Sequence, residues 1–558
     1  MKVKSIIVTD FFIILYILPA VKISIYKMKN GRYIILVSGL FISSVIYSQE
    51  SEINKGLQAI TPDAIKAQLG FLASDWMEGR EAGEKGEYLA SEYIASMLQL
   101  YGVKPGGDNL PLINPGSGFK ERSYFQNFVI LRTTPGKNQS LQLKEYDGNT
   151  TRVTDFVHNV DFTMNPVSYP IEAEAPVVFV GYGFRNDKIR YNDLIKSDLK
   201  GKIVLKVTGY PSFAQKILTL SEINESVINS EKMIRESGAI GIIEFNPSKP
   251  VAGNPLKNDL NNTPSSEAKS LIHEFNAKYS LPGTRIPSEF LRITISARAA
   301  NEILKGTGIS ADEYLKKADS NSQLPQLPAI SKTIRLKSDV IITQIPVRNI
   351  IGIIEGEASD QIIVVGAHYD HMGISDGIIW NGADDNGSGT VGVMTLAKAL
   401  AATGVKPKKT IIFAFWTAEE KGLLGSRYFV RNTSYPVNNI RLNLNFDMIG
   451  RYISETQKNG VVMTYTSSQR NFRELTENNL KKFNIDLNVD YQPSDDPPGG
   501  TDHRSFVEAG IPVMRFKPGH REQYHTPYDE VATIDWDIME KIIRISFVNL
   551  WILANSSW

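Results

Sequence analysis

The chain has 558 residues, with 61 Lys and Arg against 60 Asp and Glu for a formal charge of +1, and no cysteine. That length exceeds the ~250–300 residues at which a single core stops growing, so more than one domain is expected, and the balanced charge gives no electrostatic case for nucleic acid or an anionic membrane as partner. The absence of cysteine excludes disulfides, thiolate ligands and a cysteine nucleophile, which leaves His and carboxylates to hold any metal.

Residues 1–48 read as a targeting region. Met28-Lys29-Asn30-Gly31-Arg32, then an apolar run over 33–47, then Ser48-Gln49-Glu50, has the basic, apolar, small-polar order of a secretory signal. Met28 therefore reads as the true start. The apolar run is short for the ~20 residues of a membrane span, so the mature protein is expected to be exported, secreted or periplasmic, with no stable membrane partner after signal removal. Beyond it, Thr61-Pro62-Asp63 opens a helix whose Ile65, Leu69 and Leu72 keep one face apolar. Residues 75–80, followed by Gly83 and Gly86, lead to a second helix over 87–101, ended by Gly102.

From about Phe125 the texture changes. Short strand-like runs at 128–131, 177–181, 202–207 and 240–245 are spaced by Gly, Pro and Asn, with a helix over 231–237. Residues 265–281 and 323–328 are polar or Pro-rich and read as exposed loops. This section contributes His158 and His273, neither with a carboxylate cluster nearby. Buried-strand texture returns at Val347 and persists to a closing amphipathic helix over 534–553. The expected architecture is α/β: a mixed, largely parallel central sheet flanked by helices, built from 56–135 and 336–558, interrupted by an inserted, mostly β module over 136–335.

The chemistry gathers in the second part. Residues 362–389, IIVVGAHYDHMGISDGIIWNGADDNGSG, begin as a wholly apolar strand and end in His368, Asp370 and the pair Asp384-Asp385. The runs 409–417 and 442–446 are strands of the same kind, leading into Glu419-Glu420 and Asp447. Open α/β sheets place their sites at the carboxyl ends of strands. Singly, each acid reads as a helix cap or a solvated first turn. Converging with imidazoles at strand ends, they favour a bound cation, because a buried charge is costly unless paired or metal-bound.

The motifs AHYDH, NGADDNGSG, FWTAEEKGLLGS, NFDMIG and YHTPYD, in this order, resemble the M28 family of zinc aminopeptidases. SDWMEGREAGEKGEYLASEYIA is similar to the family's first segment, and VVFVGYGF, DLKGKIVLKV and ESGAIGIIEF resemble a protease-associated (PA) domain. The resemblance implies two Zn²⁺ ions, one on His368 and Asp447, the other on Glu420 and His525, bridged by Asp385. Alignment on Ser388-Gly389 selects Asp385 over Asp384 as the bridge. It further implies Glu419 as general base, Asp370 as the carboxylate that orients the His368 imidazole, and Tyr524 at the position that polarises the scissile carbonyl in some relatives. His371 and His503 fall outside this ligand set. Residues 491–500 read as a Pro/Gly-rich loop, either a pocket rim or an ordinary surface connection, Trp416 as core, and Trp380 as core or pocket wall. Several relatives carry a disulfide near the site, which this chain lacks. The resulting expectation is a metallo-exopeptidase that hydrolyses amino-terminal residues of peptides with a free amino terminus. The rivals are an M28-like carboxypeptidase for acidic carboxyl-terminal residues, which needs a basic pocket, and a glutaminyl cyclase, which typically uses one zinc. Arg451, Arg504, Arg515 and Arg521 keep the first open. From another class, a non-catalytic receptor on the same fold is disfavoured by the retained ligands and base.

Overall fold

The computed structural model describes residues 13–556, apart from 17–21, 28–32, 39, 111–120, 166, 195–196, 247–276, 285–289, 321–329, 376, 470 and 520–521. Met28, His273, Arg521, and most or all of the loops expected at 265–281 and 323–328, lie outside the described residues. Among the described residues, no helix is long and apolar enough to cross a membrane.

Three short antiparallel strands (Ile13–Tyr16, Lys22–Lys27 and Tyr33–Ser38) precede helix α1 (Leu40–Ala59). Helix α2 (Pro62–Leu72) has proline in its first turn and buries Ile65, Leu69 and Leu72 as one stripe; α3 (Lys85–Leu100) follows. Strand β1 (Phe125–Asp147) is far longer than the run at 128–131 that the sequence shows. The middle of the chain then alternates β2 (Ile171–Phe179), β3 (Ile203–Val207), α4 (Leu220–Glu236), β4 (Gly241–Phe245), β5 (Leu291–Ile295), α5 (Ala297–Leu304) and α6 (Ala311–Ser320). Helix α4 begins well before residue 231 because Thr219 and Glu222 form a reciprocal capping box, with the Glu222 amide 3.3 Å from the Thr219 hydroxyl.

Strand β6 (Lys332–Ile354) returns antiparallel to β1 along nearly its whole length, from Phe125 opposite Ile350 to Glu145 opposite Lys332. The pairing is irregular between Ser338 and Val340, where Pro135 is accommodated. The positions 135/136 and 335/336 fall inside these two ribbons. Beyond them come β7 (Ala358–His368), α7 (Gly389–Ala402), β8 (Lys409–Trp416), α8 (Leu424–Asn432), β9 (Ile440–Asn445), β10 (Gly460–Thr466), β11 (Asn488–Ser494), α9 (His503–Glu508), β12 (Val513–Lys517) and α10 (Trp536–Asn555). The sheet order runs β11-β10-β12-β9-β7-β8-β6-β2-β3-β4-β5.

Strands β8, β7, β9 and β12 are mutually parallel, so their carboxyl ends share one edge. Both faces of β7 and β8 are buried, which is why these two read as continuous apolar runs. Ile363, Val365, Ile411, Phe413 and Phe415 point into a core covered by α7 and α10, while Ile362, Val364, Ile412, Ala414 and Trp416 point into a second, closed by Phe429 of α8 and Phe506 of α9. A third cluster, around Phe162, Phe179, Leu205, Ile243 and Ile293, packs the middle segment.

Candidate active site

His368, Glu419, Glu420 and Asp447 reach the shared edge at or just after strand termini, while Asp385 comes from the turn that enters α7 and His525 from the loop after β12. His368 closes β7, level with Trp416 at the end of β8. Ala418, at φ 52°, turns the chain out of β8 so that Glu419 and Glu420 follow at once. Met448 (φ 62°), just after Asp447, and His525 itself (φ 50°) are likewise left-handed. Non-glycine residues in this region cost of order 1–3 kcal/mol and cluster where surrounding structure holds a functional geometry.

Asp385 lies between two imidazoles. Its Oδ1 is 3.3 Å from His368 Nε2 and its Oδ2 is 3.1 Å from His525 Nε2. His525 Nε2 is also 3.3 Å from Glu420 Oε2, while His368 Nε2 is 3.9 Å from Glu419 Oε2 and 4.0 Å from Asp447 Oδ1. Two ligands held ~2.0–2.1 Å from a tetrahedral zinc ion are separated by about 3.3 Å, so the Asp385, His368, His525 and Glu420 spacings suit N/O ligation of Zn²⁺. Asp384 is turned away: its Oδ1 accepts from the Gly450 amide at 2.8 Å and the Ser388 hydroxyl at 3.1 Å.

The electrostatics agree. Burial favours neutral imidazoles, yet Glu419, Asp370 and Asp385 hold His368 well above its ordinary pKa, and Glu420 with Asp385 pushes His525 up to about 11 against the same burial. Asp385 is held well below the carboxylate range by those two imidazoles despite its burial. Burial pushes Glu419 well up, with repulsion from Glu420, Asp502 and Asp447 adding to it. Carboxylates outnumber imidazoles, and a pocket that draws protons so strongly is one that favours cations.

Surrounding groups fix this geometry. Asp370 is fully buried, and its carboxylate accepts from the backbone amides of Glu419 (3.1 Å) and Glu420 (3.4 Å). His368 Nδ1 lies 3.2 Å from the Asp370 carbonyl oxygen and 3.7 Å from its carboxylate, so the backbone oxygen is the nearer partner. Asp529 accepts from the Asp385 amide at 2.9 Å and the Asp384 amide at 3.0 Å, and pairs with Arg451 at 2.9 Å. Arg80, buried and lowered to about 10 by desolvation, donates to the carbonyls of Leu72, Tyr369, Asn381 and Gly382, tying α2 to both ligand-bearing turns. Gly382 (φ 56°) is required there, since a Cβ would lie 2.2 Å from the Asp385 oxygen.

His371, set outside the ligand set by the sequence, is fully buried with Nδ1 2.8 Å from Glu420 Oε1, and it groups with Asp385 and Glu420. His503 is buried and belongs to none of the metal-type groups, with Nε2 3.4 Å from the Pro497 oxygen. Trp416 packs against Phe429 and Phe506, and Trp380 is buried on a short hairpin. Tyr524 stacks on His525 with ring centroids 3.9 Å apart, its hydroxyl raised by burial and by the nearby Asp385 and Glu420. Residues 491–494, expected as loop, belong to β11, while Gln492, Pro498, Gly499 and Gly500 do line the cavity. That cavity, about 410 Å³, opens over His368, Asp385, Glu419, Glu420, Asp447 and His525. Asp529 closes the YHTPYD motif, Arg80 lies in the first segment and Arg515 is among the arginines that keep a basic pocket open, but their contacts, and the place of Lys517 on the cavity wall, are not legible in the sequence because only the tertiary fold makes them.

Residues 349–549 match Peptidase family M28. Leucine aminopeptidase 2 of Trichophyton rubrum is 35% identical over 171 residues, covering 30% of this chain and 32% of that protein. Leupeptin-inactivating enzyme 1 of Streptomyces exfoliatus is 32% identical over 166 residues, covering 30% and 34%. The chain thus spans about a third of the length of these curated relatives. Among solved structures, the aminopeptidase from Aneurinibacillus sp. strain AM-1 is similar in fold, with TM-score 0.51 and 18% identity over 90% of this chain and 97% of that one.

Proposed function

We propose, from the match of residues 349–549 to peptidase family M28, that this protein is a two-zinc aminopeptidase, exported to the cell envelope or medium, that removes amino-terminal residues from peptides. The observation that carries the reading is the placement of the Asp385 oxygens, one toward His368 and the other toward His525. In this assignment His368 and Asp447 would hold one ion, Glu420 and His525 the other, and Asp385 would serve both. Two zinc ions, when bound, supply a Lewis acid that acidifies water and polarises the scissile carbonyl.

The chain's own groups do the rest. Glu419, whose proton affinity is raised by burial, takes the proton of the attacking water at its carboxylate and returns it to the leaving amine. Asp370 fixes the Glu419 and Glu420 amides, so base and ligand keep their separate orientations. Tyr524 presents its hydroxyl at the rim to the carbonyl oxygen. His371 donates to Glu420 Oε1, which leaves Oε2 for the ion. Residues 136–335 are read as a PA-like insert that screens or positions substrate; their separate apolar cluster supports this.

The test is cleavage of a peptide with a free amine against its N-acetylated counterpart, with and without chelator. The free-amine peptide should be cut, the acetylated one left intact, and added zinc should restore chelated enzyme. Release of the carboxyl-terminal residue from the acetylated peptide would instead establish a carboxypeptidase.

A further inference from the structure

Two cations face the cavity that the hydrolysis above does not use. Arg515 and Lys517 sit two residues apart on β12, hence on one face of the sheet, opposite Thr464 and Val462 of β10. Gln492 of β11 is level with Thr464. All five line the same cavity as His368 and Asp447. Strand β12 runs parallel to β9, with Arg515 level with Asn445, so the edge that carries Asp447 also carries these cations.

The two side chains have no carboxylate within ion-pair distance among the described residues, and Asp447 acts on Arg515 only at longer range. Arg451, by contrast, is paired with Asp529, and Arg80 is satisfied by carbonyls. Arg515 Nη2 donates to the Pro498 oxygen at 2.5 Å, its buried Nε finds no acceptor, and burial lowers its pKa. Gly499 makes room for the guanidinium, since a Cβ there would lie 3.0 Å from Nη1. A partly desolvated guanidinium is retained at a cost unless an anion meets it, and its planar fork matches a carboxylate.

We propose that Arg515 and Lys517 form a carboxylate-binding subsite, so that the preferred substrates are short peptides bearing a carboxylate near the scissile bond. This rests on the aminopeptidase reading. Three positions offer such a group: the side chain of the first residue, that of the second, or the free carboxyl terminus of a dipeptide.

The test compares kcat/KM of the zinc-loaded protein on three pairs: Glu-Ala-amide with Gln-Ala-amide, Ala-Glu-amide with Ala-Gln-amide, and Leu-Ala with Leu-Ala-amide. In at least one pair the carboxylate member should be favoured about tenfold or more, as a charge-assisted hydrogen bond provides, and that pair identifies the position. Arg515→Met should bring the ratio close to one, chiefly through KM, and Arg515→Lys should keep part of it. Should the Arg515 variants fail to fold, Lys517→Met and the decline of the preference with salt serve instead. Equal kcat/KM within all three pairs, or a preference for the neutral members, would overturn this inference and leave the aminopeptidase reading intact. No turnover of any free-amine peptide by protein that retains zinc would overturn both.

Discussion

Asp529→Ala removes the acceptor on which the Asp385 turn hangs. The Asp529 carboxylate accepts from two buried amides, at 2.9 and 3.0 Å, and from Arg451 at 2.9 Å. Hydrogen bonds to charged groups contribute about 1.5–3 kcal/mol each, and stripping one partner from a buried ion pair costs about 3–5 kcal/mol because the other charge is stranded. These losses share donors and do not add, so a net loss of about 3–5 kcal/mol is expected for Asp529→Ala. Against a typical stability of about 5–15 kcal/mol that is a large fraction. Asp529→Asn keeps one acceptor oxygen and should lose less. As Asp385 would also drift, zinc affinity should fall about 10–100-fold. Denaturant unfolding of chelated protein reads the first effect, and zinc competition against a calibrated chelator reads the second. An Asp529→Ala protein with wild-type unfolding midpoint and zinc affinity would refute the reasoning.

Gly389→Ala should cost about 1–3 kcal/mol by overpacking and loosen metal binding, because a Cβ there would lie 2.3 Å from Asn386 Oδ1 and 2.5 Å from the Phe446 oxygen; thermal unfolding with and without zinc checks both. In the middle segment, burial pushes the Asp161 carboxyl up, but Arg298 and the Val157 amide more than offset this and hold it below its usual 3.8. A depressed acid stabilises the fold above its unfolded pKa and loses that contribution as pH falls through the folded value. Asp161→Asn should therefore melt earlier than wild type at pH 7, with the gap closing as pH falls below 3.8.

The parts of the fold legible in the sequence are those where burial writes a pattern. Strands β7 and β8 are covered on both faces, so residues 362–367 and 411–416 are unbroken apolar runs that lead to ligands, while β9 alternates apolar residues with the buried Asn443 and Asn445 before Asp447. The outlying ribbons are not, because β6 exposes Ile341 and Ile342 and contains Pro346, while Pro135 and Gly136 interrupt β1. Those residues read as breakers, yet paired strands at the edge of a core tolerate them at a bulge. The acids and imidazoles of the site, and Asp370 as a support, stood out through their motifs, but the contacts that Asp529 and His371 make from within those motifs did not. Asp529 reaches Asp385 from a remote segment, and His371 touches Glu420 across the site. Arg515 stood only as one of four arginines that kept a basic pocket open, and the placement of β12 between β9 and β10, which periodicity does not encode, brings it to the cavity.

The central claim is that neighbouring Glu419 and Glu420 do different work, one as base and one as ligand, and zinc content measured beside kcat on two variants tests it most directly. Glu419 faces His368 at 3.9 Å, whereas Glu420 is 3.3 Å from His525 and 2.8 Å from His371. Glu419→Gln keeps its shape and loses only the proton acceptor, so two zinc ions per chain should remain while kcat falls ~10²–10⁴-fold. Glu420→Gln weakens a metal bond, so zinc should be lost and excess zinc should restore part of the rate. A Glu419→Gln protein that turns over near the wild-type rate with its zinc in place would contradict the account.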